Sequence, residues 1–160
     1  MSRDNRVVKH FDLAKGDISF DLEFDSDFIL LVCDSGNGKS FLAECLSDWS
    51  DVENPRVIVY NYKDINSREY IIEMVNKGKG FMFVFDNADI LLNEEMIDAI
   101  AGNNDNQFLV IGRHSEDLWL SKKNYKRLRF YNNTFTFFPV FDQDGNYISE
   151  DKMNAMEVSQ

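Results

Sequence analysis

Residues 28–40 read FILLVCDSGNGKS and join an uninterrupted apolar run to a turn that contains two glycines. The apolar run is typical of a strand buried on both faces, and the apolar spacing from Phe41 to Trp49 predicts a helix directly after it. Gly36 and Gly38 allow successive backbone N–H groups to converge on an anion, and the helix N-terminus adds partial positive charge. The segment therefore predicts a phosphate-binding loop between a strand and a helix.

Three later apolar runs share this strand character and cover residues 57–62, 81–86 and 108–112. Helical patterns separate these runs, one around residues 70–75 that ends at Gly78 and one around residues 96–101 that Asn93 caps. Buried strands that alternate with amphipathic helices favour an α/β domain, in which a parallel sheet carries helices on its faces.

The two ends of the chain differ from this central pattern. Residues 6–12 and 17–24 alternate polar and apolar side chains around Gly16-Asp17, which predicts an antiparallel hairpin. Residues 127–148 are rich in strand-forming side chains and contain turn residues at two points, Asn132-Asn133 and Asp144-Gly145. We expect these C-terminal strands to be antiparallel additions at an edge of the sheet.

The composition describes a chain that can fold around a core. Its 160 residues are 44% hydrophobic and 14% aromatic, which favours one folded domain over disorder. No apolar run approaches the roughly 18 residues of a membrane helix, and the N-terminus lacks the apolar region of a signal peptide. Two cysteines do not provide a disulfide scaffold. We therefore expect a cytoplasmic protein that makes no membrane contact.

The charge distribution limits the choice of partners. The net charge of −11 disfavours nucleic acid as a partner, because like charges repel the chain from phosphate backbones. Residues 113–129 depart from this average, with six Lys or Arg against two acids and a net charge of +4. A solvated helix face explains this cluster, and contact with a phosphate or an acidic partner is the alternative.

The glycine-containing turn resembles the Walker A motif of P-loop nucleoside triphosphatases, although Cys33 stands where that motif has its first glycine. The resemblance implies that Lys39 reaches the outer phosphates of ATP and that Ser40 takes one Mg²⁺ position. The full set of residues that the resemblance places on the nucleotide is Asp34, Ser35, Gly36, Asn37, Gly38, Lys39, Ser40 and Phe41.

The run at 81–86 ends in Asp86 and resembles the Walker B motif, whose acid holds Mg²⁺ beside the Walker A hydroxyl. Asp86 and Ser40 are therefore the expected metal-side residues. Many ATPases of this class carry a catalytic acid directly afterwards, but Asn87 stands there and an amide cannot accept a proton. Asp89 is the substitute that we consider, although capping of the next helix explains that aspartate equally well.

Arg113 follows the run at 108–112 and resembles the sensor 1 residue of AAA+ and STAND-type ATPases, which reads the γ-phosphate. An ion pair with a local carboxylate is the alternative. The resemblance covers about residues 28–113 and implies a three-layer P-loop NTPase fold of minimal AAA+/STAND-like type. It would have a mainly parallel sheet, an N-terminal β-hairpin and an antiparallel β-rich tail, with residues 1–150 as one domain and residues 151–160 frayed.

Three functional classes remain open after these observations. The first, which we predict, is a Mg-ATP-binding protein that hydrolyses ATP slowly or acts as a nucleotide-dependent switch on a protein partner or by self-association. The second is a non-hydrolytic binding or regulatory module, which Cys33 and Asn87 would allow. The third is a small-molecule phosphotransferase, in which residues 113–129 would cover the phosphates.

Overall fold

The computed structural model describes residues 6–32, 39–112 and 122–156, with the backbone alone at residues 39 and 40. The strands are β1 (His10–Lys15), β2 (Ile18–Glu23), β3 (Phe28–Val32), β4 (Val57–Tyr60), β5 (Met82–Phe85), β6 (Gln107–Gly112), β7 (Tyr125–Tyr131) and β8 (Thr134–Pro139). The α-helices are α1 (Lys39–Val52), α2 (Arg68–Lys77), α3 (Ala88–Leu91), α4 (Glu94–Ala101) and α5 (Glu150–Ala155). Short 3-10 helices cover Tyr62–Ser67 and Lys122–Asn124.

These strands form one mixed sheet in the order β1-β2-β8-β7-β3-β6-β5-β4, which curls into a half-barrel. The pairs β1/β2 and β7/β8 are antiparallel. β8 pairs in parallel with β2, and β7 pairs in parallel with β3. The pairs β3/β6, β6/β5 and β5/β4 are also parallel. The hairpin and the C-terminal strands are thus joined to the other strands in a single sheet.

The predicted three-layer P-loop NTPase fold with a mainly parallel sheet is therefore wrong. The finding that overturns it is the mixed, curled half-barrel sheet, in which antiparallel strands from both ends of the chain take part. Aromatic contacts explain the difference, because Phe20 of β2 stacks on Phe135 of β8 with ring centroids 5.1 Å apart. Phe24 likewise meets Phe137 at 5.2 Å. The two ends of the chain share a core instead of adding to an edge.

Several local predictions are confirmed. The four apolar runs are β3, β4, β5 and β6, each within two residues of its predicted ends. The hairpin turns at Gly16, whose φ of +64° favours glycine. Asn93 caps α4 by accepting a hydrogen bond from the Met96 amide at 2.9 Å, and α2 ends at Gly78. Glu150–Ala155 form α5, in which Met153 is buried, and the predicted fraying of residues 151–160 stays a prediction.

Two hydrophobic clusters lie on opposite faces of the sheet. The side chains of β3 alternate between the two clusters. Ile29 and Leu31 belong to the cluster that α1 covers, and Leu30 belongs to the other. The second cluster receives apolar side chains from α2, α3 and α4. Across the three described ranges, no helix combines the length and the apolar character needed to cross a bilayer.

Candidate functional site

The carboxyl ends of β3, β5 and β6 meet at one edge of the sheet. Val32 of β3 is level with Gly112 of β6, and Phe85 of β5 is level with Val110. Asp86 follows Phe85. It therefore lies about one residue, or about 3.3 Å along the strand, from the level at which β3 and β6 end. Neighbouring strands are about 4.8 Å apart, so the ends of β3 and β5 lie about 10 Å from each other.

Asp86 is the buried acid of this edge. Every residue of β5 is buried, and Asp86 itself is only 8% exposed. Its backbone amide donates to the Tyr60 carbonyl at 2.8 Å, and its Oδ1 accepts from the Asn87 amide at 2.8 Å. These two bonds fix the carboxylate at the end of the strand. A buried and oriented carboxylate is a suitable group to face a bound cation.

The turn after Asp86 has a left-handed backbone. Asn87 has φ of +51° and ψ of +46°, a conformation that asparagine adopts more readily than most residues other than glycine. Asn132 and Asn133, between β7 and β8, share it. The Asn87 carbonyl then accepts from the amides of Ile90 and Leu91 and starts the short helix α3. The turn thereby directs α3 back toward the end of β6.

Asp89 lies in the first turn of α3 and is exposed. It does not fill a cap position, because the N-caps of α3 and α4 are Asn87 and Asn93. A methyl group built on Gly112 would lie 3.5 Å from Asp89 Oδ1 and 3.4 Å from the Ala88 Cβ. The Asp89 carboxylate therefore lies beside the end of β6. The structure brings it to the same edge as Asp86.

The remaining predicted site residues belong to the chain segments that follow β3 and β6. Arg113 and the five loop residues Asp34, Ser35, Gly36, Asn37 and Gly38 lie outside the described residues. Lys39 and Ser40 begin α1. The Phe41 ring packs against the hydrophobic core, 5.6 Å from the Phe20 ring. The contact of Phe41 with nucleotide stays a prediction. Because the ring packs against the core, that contact would use the backbone amide of Phe41.

The end of β4 closes this edge on the far side of β5. The Tyr60 ring stacks on Phe85 with centroids 5.9 Å apart. Burial, with smaller contributions from Tyr70 and Asp64, raises the pKa of Tyr60 to about 12. Asn61 then starts the 3-10 helix, and its amide donates to Asp64 Oδ2 at 2.9 Å. Tyr60 therefore stays protonated near neutral pH and serves as a packing group here.

No protein-family model, curated protein or solved structure matches this chain. The candidate site consequently depends on the residues and their geometry alone.

Sequence reasoning missed one residue that shapes this edge. The Arg68 guanidinium at the start of α2 donates to the carbonyls of Leu91 and Ile90, at 2.7 and 2.9 Å. Nothing in the pattern around position 68 distinguishes this arginine from a solvated one. Its partners are more than twenty positions away in the sequence, and only the folded chain brings them together.

A second group of potential metal-binding side chains lies on the solvent face of the β1–β2 hairpin. Within the described ranges, His10, Asp21 and Glu23 are the one set whose donor atoms all lie within 4.8 Å of one another. His10 Nε2 is 2.5 Å from Asp21 Oδ1 and 3.7 Å from Glu23 Oε1. All three side chains are exposed. The set contains no predicted site residue, and an ion pair within the hairpin accounts for its geometry.

The same contacts set the protonation of His10. The hydrogen bond with Asp21 and the nearby charge of Glu23 raise the pKa of His10 above its ordinary 6.5, against a smaller opposing effect of burial. A raised pKa in the folded state stabilises the fold at pH values below the ordinary pKa. That contribution is lost as the pH rises through the folded-state pKa.

We expect His10→Gln to lower the stability of the protein at about pH 5.5 and to change it little at about pH 8.5. The measurement is urea unfolding of both proteins at the two pH values. Asp21→Asn is the second test variant. It removes the group that raises the pKa of His10 most and should reduce the same pH dependence of stability. An equal loss of stability at both pH values would show that the histidine acts by packing and not by charge.

Proposed function

We propose that the protein binds Mg-ATP at the edge formed by the carboxyl ends of β3, β5 and β6. The observation that carries the proposal is the buried Asp86, level with the ends of β3 and β6 and oriented by backbone contacts. β3 ends directly before the Walker A-like residues 33–40, and the buried acid follows β5 at the same edge of the sheet. A triphosphate with Mg²⁺ can bridge the roughly 10 Å between the ends of β3 and β5.

Each residue then has a chemical role. Lys39 contacts the outer phosphates, and backbone amides of residues 34–41 surround them. Ser40 and Asp86 organise Mg²⁺, which neutralises the phosphate charge. Arg113 contacts the γ-phosphate with a planar, permanently charged donor. Asp89 is the acid closest in sequence that can orient a water molecule, and its carboxylate lies beside the end of β6.

The consequence of binding is either slow ATP hydrolysis or a switch that operates through a protein partner or self-association. Asn87 stands where an efficient ATPase has an acid, which supports slow turnover. As a switch, the protein would act on its partner through nucleotide contacts at Arg113. A cytoplasmic location would give such a protein access to Mg-ATP. A non-hydrolytic binding module remains the alternative function, and a small-molecule phosphotransferase is the less favoured one.

The proposal predicts that Asp86→Asn raises the Mg²⁺ concentration needed for half-maximal ATP binding by about tenfold. The asparagine Oδ1 can still accept from the Asn87 amide, so the fold should persist. The measurement is calorimetric titration with ATP at a series of Mg²⁺ concentrations. Asp98→Asn is the matched control, because Asp98 is an exposed aspartate of α4. Unchanged Mg²⁺ dependence in Asp86→Asn would contradict the metal-side role of Asp86.

A further inference from the structure

The short helix α3 depends on groups outside itself. A helix of four residues leaves its last carbonyls without partners within the helix. Arg68 supplies two of these partners, because its Nε donates to the Leu91 carbonyl at 2.7 Å and its Nη2 donates to the Ile90 carbonyl at 2.9 Å. One planar guanidinium from α2 therefore holds the C-terminal end of α3.

The other end of α3 is attached to the buried acid. Asp86 is joined to the helix by Asn87 alone, and Asn87 has a left-handed backbone. Ala88 is buried and lies close to Gly112 at the end of β6. The segment 86–91 is consequently held at Asp86, at Ala88 and at its carbonyl end. Without the last restraint, the turn at Asn87 is free to change its conformation.

We infer that Arg68 is a positioning residue for the Mg²⁺ side of the site, and this inference depends on the proposed function. Arg68 acts through α3: it fixes the helix, the helix keeps Asn87 in the left-handed conformation, and Asn87 keeps the Asp86 carboxylate and the Asp89 carboxylate at the edge. The guanidinium suits this task because its rigid fork reaches two carbonyls at once. A lysine would provide one point charge on a flexible stem.

The test compares Arg68→Ala and Arg68→Lys with the wild-type protein in calorimetric titrations with ATP, with saturating Mg²⁺, with graded Mg²⁺ and with EDTA. We expect Arg68→Ala to raise the half-saturating Mg²⁺ concentration by about tenfold, the size of effect typical of groups that orient metal ligands. Arg68→Lys should give a smaller rise in the same direction. ATP affinity in EDTA should stay unchanged in both variants, because Arg68 is inferred to act on the Mg²⁺ side of the site alone.

Arg56→Ala provides the matched control. Arg56 makes the same kind of contact at the opposite end of the sheet, since its Nη1 donates to the Lys79 carbonyl at 3.2 Å and its guanidinium covers the Phe81 ring. It precedes β4 and lies near the amino end of β5. We therefore expect Arg56→Ala to lower thermal stability and to leave the Mg²⁺ dependence at the wild-type value.

The outcomes separate the inference from the proposed function. If wild-type protein binds ATP in a Mg²⁺-dependent way and both Arg68 variants match it, the positioning role is wrong and the proposed function stands. A shift of the same size in Arg56→Ala would also overturn the positioning role, because it would reflect general loss of stability. If folded wild-type protein shows no Mg²⁺-dependent binding, the proposed function fails and the inference fails with it. Should Arg68→Ala not fold, an unshifted Arg68→Lys overturns the inference alone.

Discussion

Lys39→Ala should weaken ATP binding by about 100-fold, because it removes a charge-assisted contact worth about 1.5 to 3 kcal/mol from the phosphates. Lys39 is the first residue of α1. The α1 side chains that pack in the core include Leu42, Cys45 and Leu46. We therefore expect the variant to keep its circular dichroism spectrum and its unfolding midpoint while losing nucleotide affinity in calorimetric titration.

Lys77→Ala is the matched lysine control. Lys77 ends α2 and pairs with Glu73 on the same helix, before the chain enters the amino end of β5. Its removal takes the same charge from a position remote from the proposed phosphates and should leave ATP affinity unchanged. Equal ATP affinity in Lys39→Ala and the wild-type protein would contradict the role of Lys39.

Gln107→Leu should lower the free energy of unfolding by about 3 kcal/mol. The substitution leaves backbone groups without hydrogen-bond partners, and each such group costs about 1 to 3 kcal/mol when buried. Gln107 is fully buried at the start of β6. Its Oε1 accepts from the amides of Val7 and Val8 at 2.7 and 2.8 Å, and its Nε2 donates to the Val8 carbonyl at 2.8 Å. One side chain thus attaches the segment before β1 to the sheet across about a hundred positions of sequence.

Urea unfolding measures this loss, and Gln143→Leu is the control. Gln143 is an exposed glutamine of the turn between Asp142 and Asn146, so its replacement should change the free energy of unfolding by less than about 0.5 kcal/mol. A comparably small change in Gln107→Leu would show that the three hydrogen bonds of Gln107 contribute little to stability.

The central strands could be predicted because burial on both faces leaves a direct record in the sequence. Each of the runs at 28–33, 57–62, 81–86 and 108–112 is apolar through most of its length, and the runs became β3, β4, β5 and β6. Helix ends were predictable where a single residue determines the backbone, as at Gly78 and Asn93. These signals are local, so one sequence contains them.

The arrangement of the sheet was not predictable in the same way. Alternation shows that β2 and β8 are strands, but their pairing depends on contacts such as Phe20 with Phe135, more than a hundred positions apart. The sequence of residues 17–24 does not indicate which distant strand pairs with β2. Two small helices were missed for a related reason. α3 has only four residues, and α5 presents a single buried side chain, Met153, so neither produces a clear helical period.

The candidate site also combines locally predictable features with features that depend on long-range contacts. Asp86 was predictable because an acid directly after a buried strand is a local pattern, and the structure buries it at the end of β5. Two other features were not predictable: the contact of Asp89 with the end of β6, and the two hydrogen bonds that Arg68 donates. Both depend on elements that are distant in sequence and close in the fold. The left-handed backbone of Asn87 is also a product of that proximity.

Calorimetric titration of the wild-type protein with ATP, in the presence of Mg²⁺ and again in EDTA, tests the proposed site most directly. We predict micromolar binding with Mg²⁺ and clearly weaker binding in EDTA, because a buried acid and a phosphate chain at one edge need the cation between them. Circular dichroism on the same sample establishes that the protein is folded. A folded sample that binds no ATP, or binds it equally well without Mg²⁺, would contradict the assignment of this edge as a Mg-ATP site.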